Sequence, residues 1–303
     1  MLRLASILLF SLFLAISCVE AKPSKSRKKA RIRHKAPTQA SLVLDANSGE
    51  ILHYHKASTK IYPASTVKMM TMYLAFDALD SGKFTMNSKL KVSKKAARMR
   101  PLKLGLRAGQ RITMRDAILA THIKSANDAA VVLGEALGGG SEEKFAKMMN
   151  RKAKELGMYN TNFTNASGWH HSRQKSTALD LAILGLALKK DHAKYSYILK
   201  KTKFVYKGRN IYGHNKVLAY YKGADSGKTG FHTPAGCNLV TTAKRNGKSL
   251  VAVITGGSSA RNRNAKMISL LDRHFGISPA KVKRSKVYAS KKRSAKATRK
   301  KKI

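Results

Sequence analysis

Ser65-Thr66-Val67-Lys68 places a hydroxyl and an amine three residues apart at the head of a long apolar run. In a helix, residues i and i+3 share a face, so the Lys68 amine can reach the Ser65 hydroxyl. A serine needs a base to become a nucleophile, and a lysine serves only if burial or nearby positive charge lowers its pKa. The spacing alone is weak, because Ser-x-x-Lys also begins at Ser26, Ser88, Ser141 and Ser172. Ser65 differs in opening a run in which a buried lysine needs a reason. Two further clusters follow. Ser125-Ala126-Asn127 interrupts an apolar stretch, and Lys228-Thr229-Gly230 occurs once, late in the chain. Each has an ordinary reading: a helix cap for the first, an exposed strand with a close-packed glycine for the second. The chemical reading gives Ser125 a proton-relay role between Lys68 and a leaving group. Asn127 then orients Lys68 and binds a substrate amide. Lys228 adds positive potential, Thr229 holds a substrate carboxylate, and Gly230 keeps a strand clear for an extended peptide.

The elements that must position these groups are legible in outline. Residues 41–45 and 51–55 are short β-rich runs around an Asn/Ser/Gly turn, a hairpin pattern. Helical patterns cover 64–80, 113–137 with a break near 124–125, 141–156 and 177–190. Residues 239–244 and 249–255 flank Asn246-Gly247, the strongest short hairpin signal, and a last helix covers about 262–275. Strands, many helices, strands, helix: this order predicts an α/β (α+β) fold with one antiparallel sheet built from both chain ends. Helices flank the sheet, and an all-helical subdomain is inserted at about 80–200.

Ser-x-x-Lys, Ser-x-Asn and Lys-Thr-Gly in that order resemble the set shared by penicillin-binding proteins and class A β-lactamases. The segments 62–71, 124–128, Asn165-Ala166-Ser167-Gly168 and 228–257 look like the low-molecular-mass D-alanyl-D-alanine carboxypeptidases, and the resemblance covers about 41–275. It implies a β-lactamase/transpeptidase-like fold and a serine peptidase. Ser65 would attack the peptide bond between the terminal D-alanines of a peptidoglycan stem pentapeptide and form an acyl-ester, with Lys68 as general base. It also implies an oxyanion hole from the backbone N–H groups of Ser65 and Phe231, carboxylate binding by an arginine placed by counting at Arg263 (Arg261 is nearby), inhibition by β-lactams, and no cofactor. Relatives often carry His or Tyr where Phe231 stands, which leaves a backbone role intact but removes a side-chain one. Trp169-His170-His171 also departs from the family, and with no carboxylate or cysteine beside it the His pair reads as a loop without metal.

Charge sets the surroundings. The 303 residues carry 61 Lys and Arg against 15 Asp and Glu, a formal +46. Residues 22–36 hold eight basic residues and residues 281–303 hold twelve, with no acid in either. Polyanionic partners follow, but nucleic acid is argued against by residues 1–21, where Arg3, an apolar run and Val19-Glu20-Ala21 make a secretory signal cleaved after about Ala21. The protein is thus expected in the periplasm or cell envelope; a lipoprotein junction at Cys18 is the rival reading. After cleavage only Cys237 remains, a small apolar residue of a strand. The expected organisation is signal peptide 1–21, basic linker 22–36, enzyme domain 37–278 and basic tail 279–303. The tails could dock on anionic lipid or acidic wall polymers. Rival activities are D,D-endopeptidase or transpeptidase, which share the acyl-enzyme, and β-lactamase. The last needs a carboxylate for its deacylating water, and Tyr159 to Ser167 contains none. A rival of another class is a polyanion-binding envelope protein with vestigial catalysis.

Overall fold

The structure is a computed structural model, and it describes residues 37–277. The signal segment 1–21 with Cys18, the linker 22–36 and the tail 279–303 lie outside the described residues.

In chain order the elements are β1 (Ala40–Asp45), β2 (Ile51–His55), a 3₁₀ turn (Ala64–Val67), α1 (Lys68–Asp80), β3 (Lys89–Lys91), α2 (Lys94–Arg98) and β4 (Arg111–Thr113). Then come α3 (Met114–Leu119), a π-turn (Ala120–Lys124), α4 (Asn127–Leu137), α5 (Glu142–Glu155), α6 (Ala178–Asp191) and α7 (Ser196–Leu199). The chain closes with β5 (Lys203–Tyr206), β6 (Arg209–Tyr212), α8 (Lys216–Tyr220), β7 (Ala224–His232), β8 (Gly236–Arg245), β9 (Lys248–Gly257) and α9 (Ala260–His274).

The main sheet runs β2-β1-β9-β8-β7, antiparallel throughout, so the first and last strands of the chain pair at its centre. Its side chains alternate between two cores, as a strand period of two requires. Leu42, Leu44, Val240, Val251 and Val253 face the core shared with α1 and α6. Val43, Leu239, Leu250, Ala252 and Ile254 face the second core, where Met267 and Leu271 of α9 cover them. The β8–β9 turn has only Asn246 and Gly247 between paired strands, at φ +47° and +78°. That is the type I′ geometry expected of Asn-Gly.

α1 is apolar on nearly every side and buried along most of its length, which fits a helix at the centre of a domain. Side-chain caps fix where several helices start: Ser141 accepts from Lys144 N–H and Thr177 from Asp180 N–H. Ser141-x-x-Lys144 is therefore a capped helix start. The inserted region is helical, but it is not all helix. A two-stranded antiparallel sheet, β3 against β4 with α2 between them in sequence, sits within it, and a hairpin, β5 against β6, follows it. Runs of three or four residues carry too little periodicity to be seen in sequence.

Candidate active site

The helix expected from residue 64 begins later. Ser65 lies in the 3₁₀ turn, and α1 starts at Lys68. Ala64 has φ +50°, a left-handed backbone rare outside glycine and costing about 1–3 kcal/mol. Neighbours pin this turn. A Cβ on Gly168 would fall 2.1 Å from Ala64 O, and one on Gly230 would fall 2.8 Å from Pro63 O and 3.1 Å from Ser65 N. Asn238 on β8 donates to Tyr62 O (2.9 Å) and Pro63 O (3.1 Å) while accepting from Gly256 N–H. Gly230 thus lets β7 press directly against the serine turn.

Lys68 is fully buried. Its Nζ donates to Asn127 Oδ1 (2.7 Å) and to Ser167 O, and lies 3.0 Å from Ser65 Oγ. Desolvation, then the Lys228 charge, hold its pKa well below the ordinary lysine value, while Asp128 opposes. Two of its three neighbours are carbonyl oxygens, which only accept. A neutral amine gives them its two N–H groups and turns its lone pair to the one neighbour that can donate, the Ser65 hydroxyl.

Ser125 follows the π-turn at φ +57° and is buried. Lys228, 2% exposed, donates to its Oγ at 2.8 Å and to Thr229 O at 3.0 Å. Burial, then the Arg263 charge, push Lys228 down to about 7. β7 is therefore buried at Lys228, unlike the exposed strand of the ordinary reading. Asn127 gives its carbonyl to Lys68 and one amide hydrogen to Arg100 O (3.2 Å), so its orienting contact is in place and its donors are partly engaged. Thr229 Oγ1 lies 2.8 Å from His214 Nε2. Of the two candidate arginines, Arg263 is buried and Arg261 exposed. Arg263 donates to Asn238 O and Asn264 Oδ1. Phe231 lies in β7, next to Gly230 and paired with Cys237, and its side chain is 66% exposed.

Several groups here escaped sequence reasoning. Asp128 is buried and accepts from the N–H groups of Leu104, Gly105 and Leu106, fixing the loop beside Asn127. The Ser167 carbonyl is set by its own loop: Asn165 Oδ1 accepts from Gly168 and Trp169 N–H, Thr71 donates to Ala166 O, and Glu142 accepts from Ala166 N–H. Only the Asn165–Gly168 resemblance pointed there. His170 separates from His171 and packs against Tyr62 and His232, at 4.9 and 5.0 Å between ring centres. Cys237 is buried in β8, and desolvation raises its thiol pKa.

The sequence profile of the D-alanyl-D-alanine carboxypeptidases, peptidase family S11, matches residues 25–259. This chain belongs to that family. Among its relatives, D-alanyl-D-alanine carboxypeptidase DacF of Bacillus subtilis is 34% identical over 284 residues, 91% of this chain and 71% of its own. DacA of Escherichia coli is 30% identical over 255 residues, 80% of this chain; the match spans 63% of DacA, under two thirds of its length. Penicillin binding protein 5 from Haemophilus influenzae superposes with a TM-score of 0.75 at 29% identity, over 80% of this chain and 72% of that one. Penicillin-Binding Protein D2 from Listeria monocytogenes, solved in its ampicillin-bound form, gives 0.71 at 31% identity, over 78% of this chain and 96% of that one. The five-stranded sheet with both chain ends at its centre is thus the penicillin-binding, transpeptidase-like fold.

Proposed function

We propose that the protein removes the terminal D-alanine from peptidoglycan stem pentapeptides through an acyl-enzyme on Ser65. The observation that carries this is the environment of Lys68: fully buried, bonded to two carbonyl oxygens, and 3.0 Å from Ser65 Oγ. Ser65 Oγ attacks the carbonyl between the two D-alanines as Lys68 takes its proton. The oxyanion meets the backbone N–H groups of Ser65 and Phe231, held together by the contact of Gly230 with the serine turn. Ser125, bonded to Lys228, relays the proton taken up by Lys68 to the departing D-alanine amine, which leaves Lys68 neutral again. Thr229 on β7 and Arg263 on α9 receive the terminal carboxylate, where the buried Lys228 and Arg263 favour an anion. Water then hydrolyses the ester.

β-Lactams acylate the same serine. The signal pattern expected at residues 1–21 and this substrate support a location in the cell envelope, where the basic tails would meet anionic lipid or acidic wall polymer. Incubation with a pentapeptide ending in D-Ala-D-Ala should release D-alanine, and Ser65→Ala should release none. Labelled penicillin should appear by mass spectrometry on the peptide containing Ser65. A label on Cys237, or D-alanine release by Ser65→Ala, would overturn the assignment.

A further inference from the structure

The positive charge is not confined to the tails. Residues 81–115 contain eleven Lys and Arg and no Asp or Glu, and all eleven are exposed. Among the described residues only Lys95 of these enters an ion pair, with Glu142. Residues 200–216 add six more basic side chains, all exposed, again without an acid. The fold brings the two segments together: Gln110 Nε2 donates to Tyr206 OH at 2.9 Å.

Both also touch the Ser125–Asn127 break. Asn127 N–H donates to Leu102 O at 2.7 Å, and a Cβ on Gly213 would lie 3.1 Å from Ile123 O. The basic surface therefore borders the cleft on two sides. Glu142 takes Lys95, Glu135 accepts from Ser93 and Asp116 follows Arg115; other acids gather elsewhere. Asp77, Asp80 and Glu155 take Lys152, Lys194 and His192 at the far end of α1, about 20 Å along the helix from Ser65 at 1.5 Å per residue.

We propose that this rim binds a linear phosphodiester polymer alongside the site. Two features select that chemistry. First, the chain has 42 Lys and 19 Arg, yet five of the six basic residues between 98 and 115 are Arg, whose planar fork matches a phosphate bidentately. Second, both segments abut the element that carries Ser125 and Asn127, so a flat bilayer spread over them would lie against the site, whereas a single strand can follow the basic side chains alone. Regular charges along such a strand also raise its encounter rate with a basic face.

The inference is independent of the acyl-transfer reading, because binding is measured with Ser65 untouched. The test compares the full chain with its variant Arg98→Gln/Lys103→Gln/Arg107→Gln/Arg209→Gln, so that both proteins keep their tails. Binding of labelled poly(glycerol phosphate) is followed by anisotropy over a salt series. The variant's affinity should fall at least about tenfold, and the slope of log affinity against log salt should flatten by about 3, near 0.7 per lost contact. Acylation by labelled penicillin should be unchanged, showing an intact site. Unaltered polymer affinity would assign the binding to the tails and overturn the proposal. So would tighter binding to phosphatidylglycerol vesicles or to duplex DNA than to the polymer.

Discussion

Two lysines buried within one site give the protein an unusual dependence on pH. Lys68 must be neutral to accept the Ser65 proton, so acylation should fail on the acid side as Lys68 becomes protonated. The Lys228 charge is one of the two influences that keep Lys68 low. Lys228→Met removes it and should move that acid limb to higher pH, as read from penicillin acylation rates between about pH 5 and 9; an unmoved limb would separate the two groups. Stability follows the same protons. Lys228 drops from 10.5 to about 7 on folding. Between those values the unfolded chain holds a proton that the native state lacks, so stability rises with pH across that window, by up to about 1.4 kcal/mol per pH unit. Lys68 contributes with the same sign. Urea unfolding at several pH values should show a flatter rise in Lys228→Met than in the parent. Lys68 was visible because a lysine is rare in an apolar helix, and Ser65 and Lys228 because Ser-x-x-Lys, Ser-x-Asn and Lys-Thr-Gly follow one another in order. The Ser167 carbonyl was not, because any residue supplies a carbonyl and only the Asn165 turn aims this one.

At the scale of elements, the serine turn depends on parts far from it in sequence. Gly168 sits at φ +76° with Ala64 O in the space a side chain would need. Gly168→Ala must displace the 3₁₀ turn or its own loop, which also carries the Ser167 carbonyl. Penicillin acylation should fall by at least about 100-fold, roughly the loss expected when catalytic geometry moves by an ångström. Far-ultraviolet circular dichroism should stay native, since the helices and sheet are untouched. Acylation at the parent rate would show that the turn tolerates the shift. The long helices and the Asn246-Gly247 hairpin were legible because hydrophobic period and turn chemistry are local. The left-handed Ala64 and Ser125 were not, because neither residue type favours that backbone; tertiary contacts impose it. The small strand pairs β3–β4 and β5–β6 were missed because strands so short have no period to read.

For the whole molecule, the decisive feature is where its carboxylates go. Around the site they are committed to structure: Asp128 to the loop 104–106, Glu142 to Ala166 N–H and Lys95, and Asp180 to Asn160 N–H and Thr161. No carboxylate stands in the loop 159–167, where a class A β-lactamase needs one to drive water at its β-lactam ester. Penicillin on Ser65 should therefore persist, seen as an intact protein mass increase that outlasts removal of the drug. A chromogenic cephalosporin should give one equivalent of colour and no turnover; rapid turnover would make the protein a β-lactamase. That one antiparallel sheet draws strands from both parts of the chain was legible in the strand pattern, and the basic excess in composition. The placing of basic segments beside the cleft was not, because it depends on the Gln110–Tyr206 and Asn127–Leu102 contacts, which join residues distant in sequence.

The clasp that Asn238 and Gly230 form on the serine turn also orders events in time. Ser65 emerges early in the chain, while the strands that pin its turn and supply Lys228 come more than 160 residues later. Until β7 and β8 join the sheet, Ser65 is an ordinary alcohol. On the proposed mechanism, a chain that has not yet formed this clasp would be chemically inert.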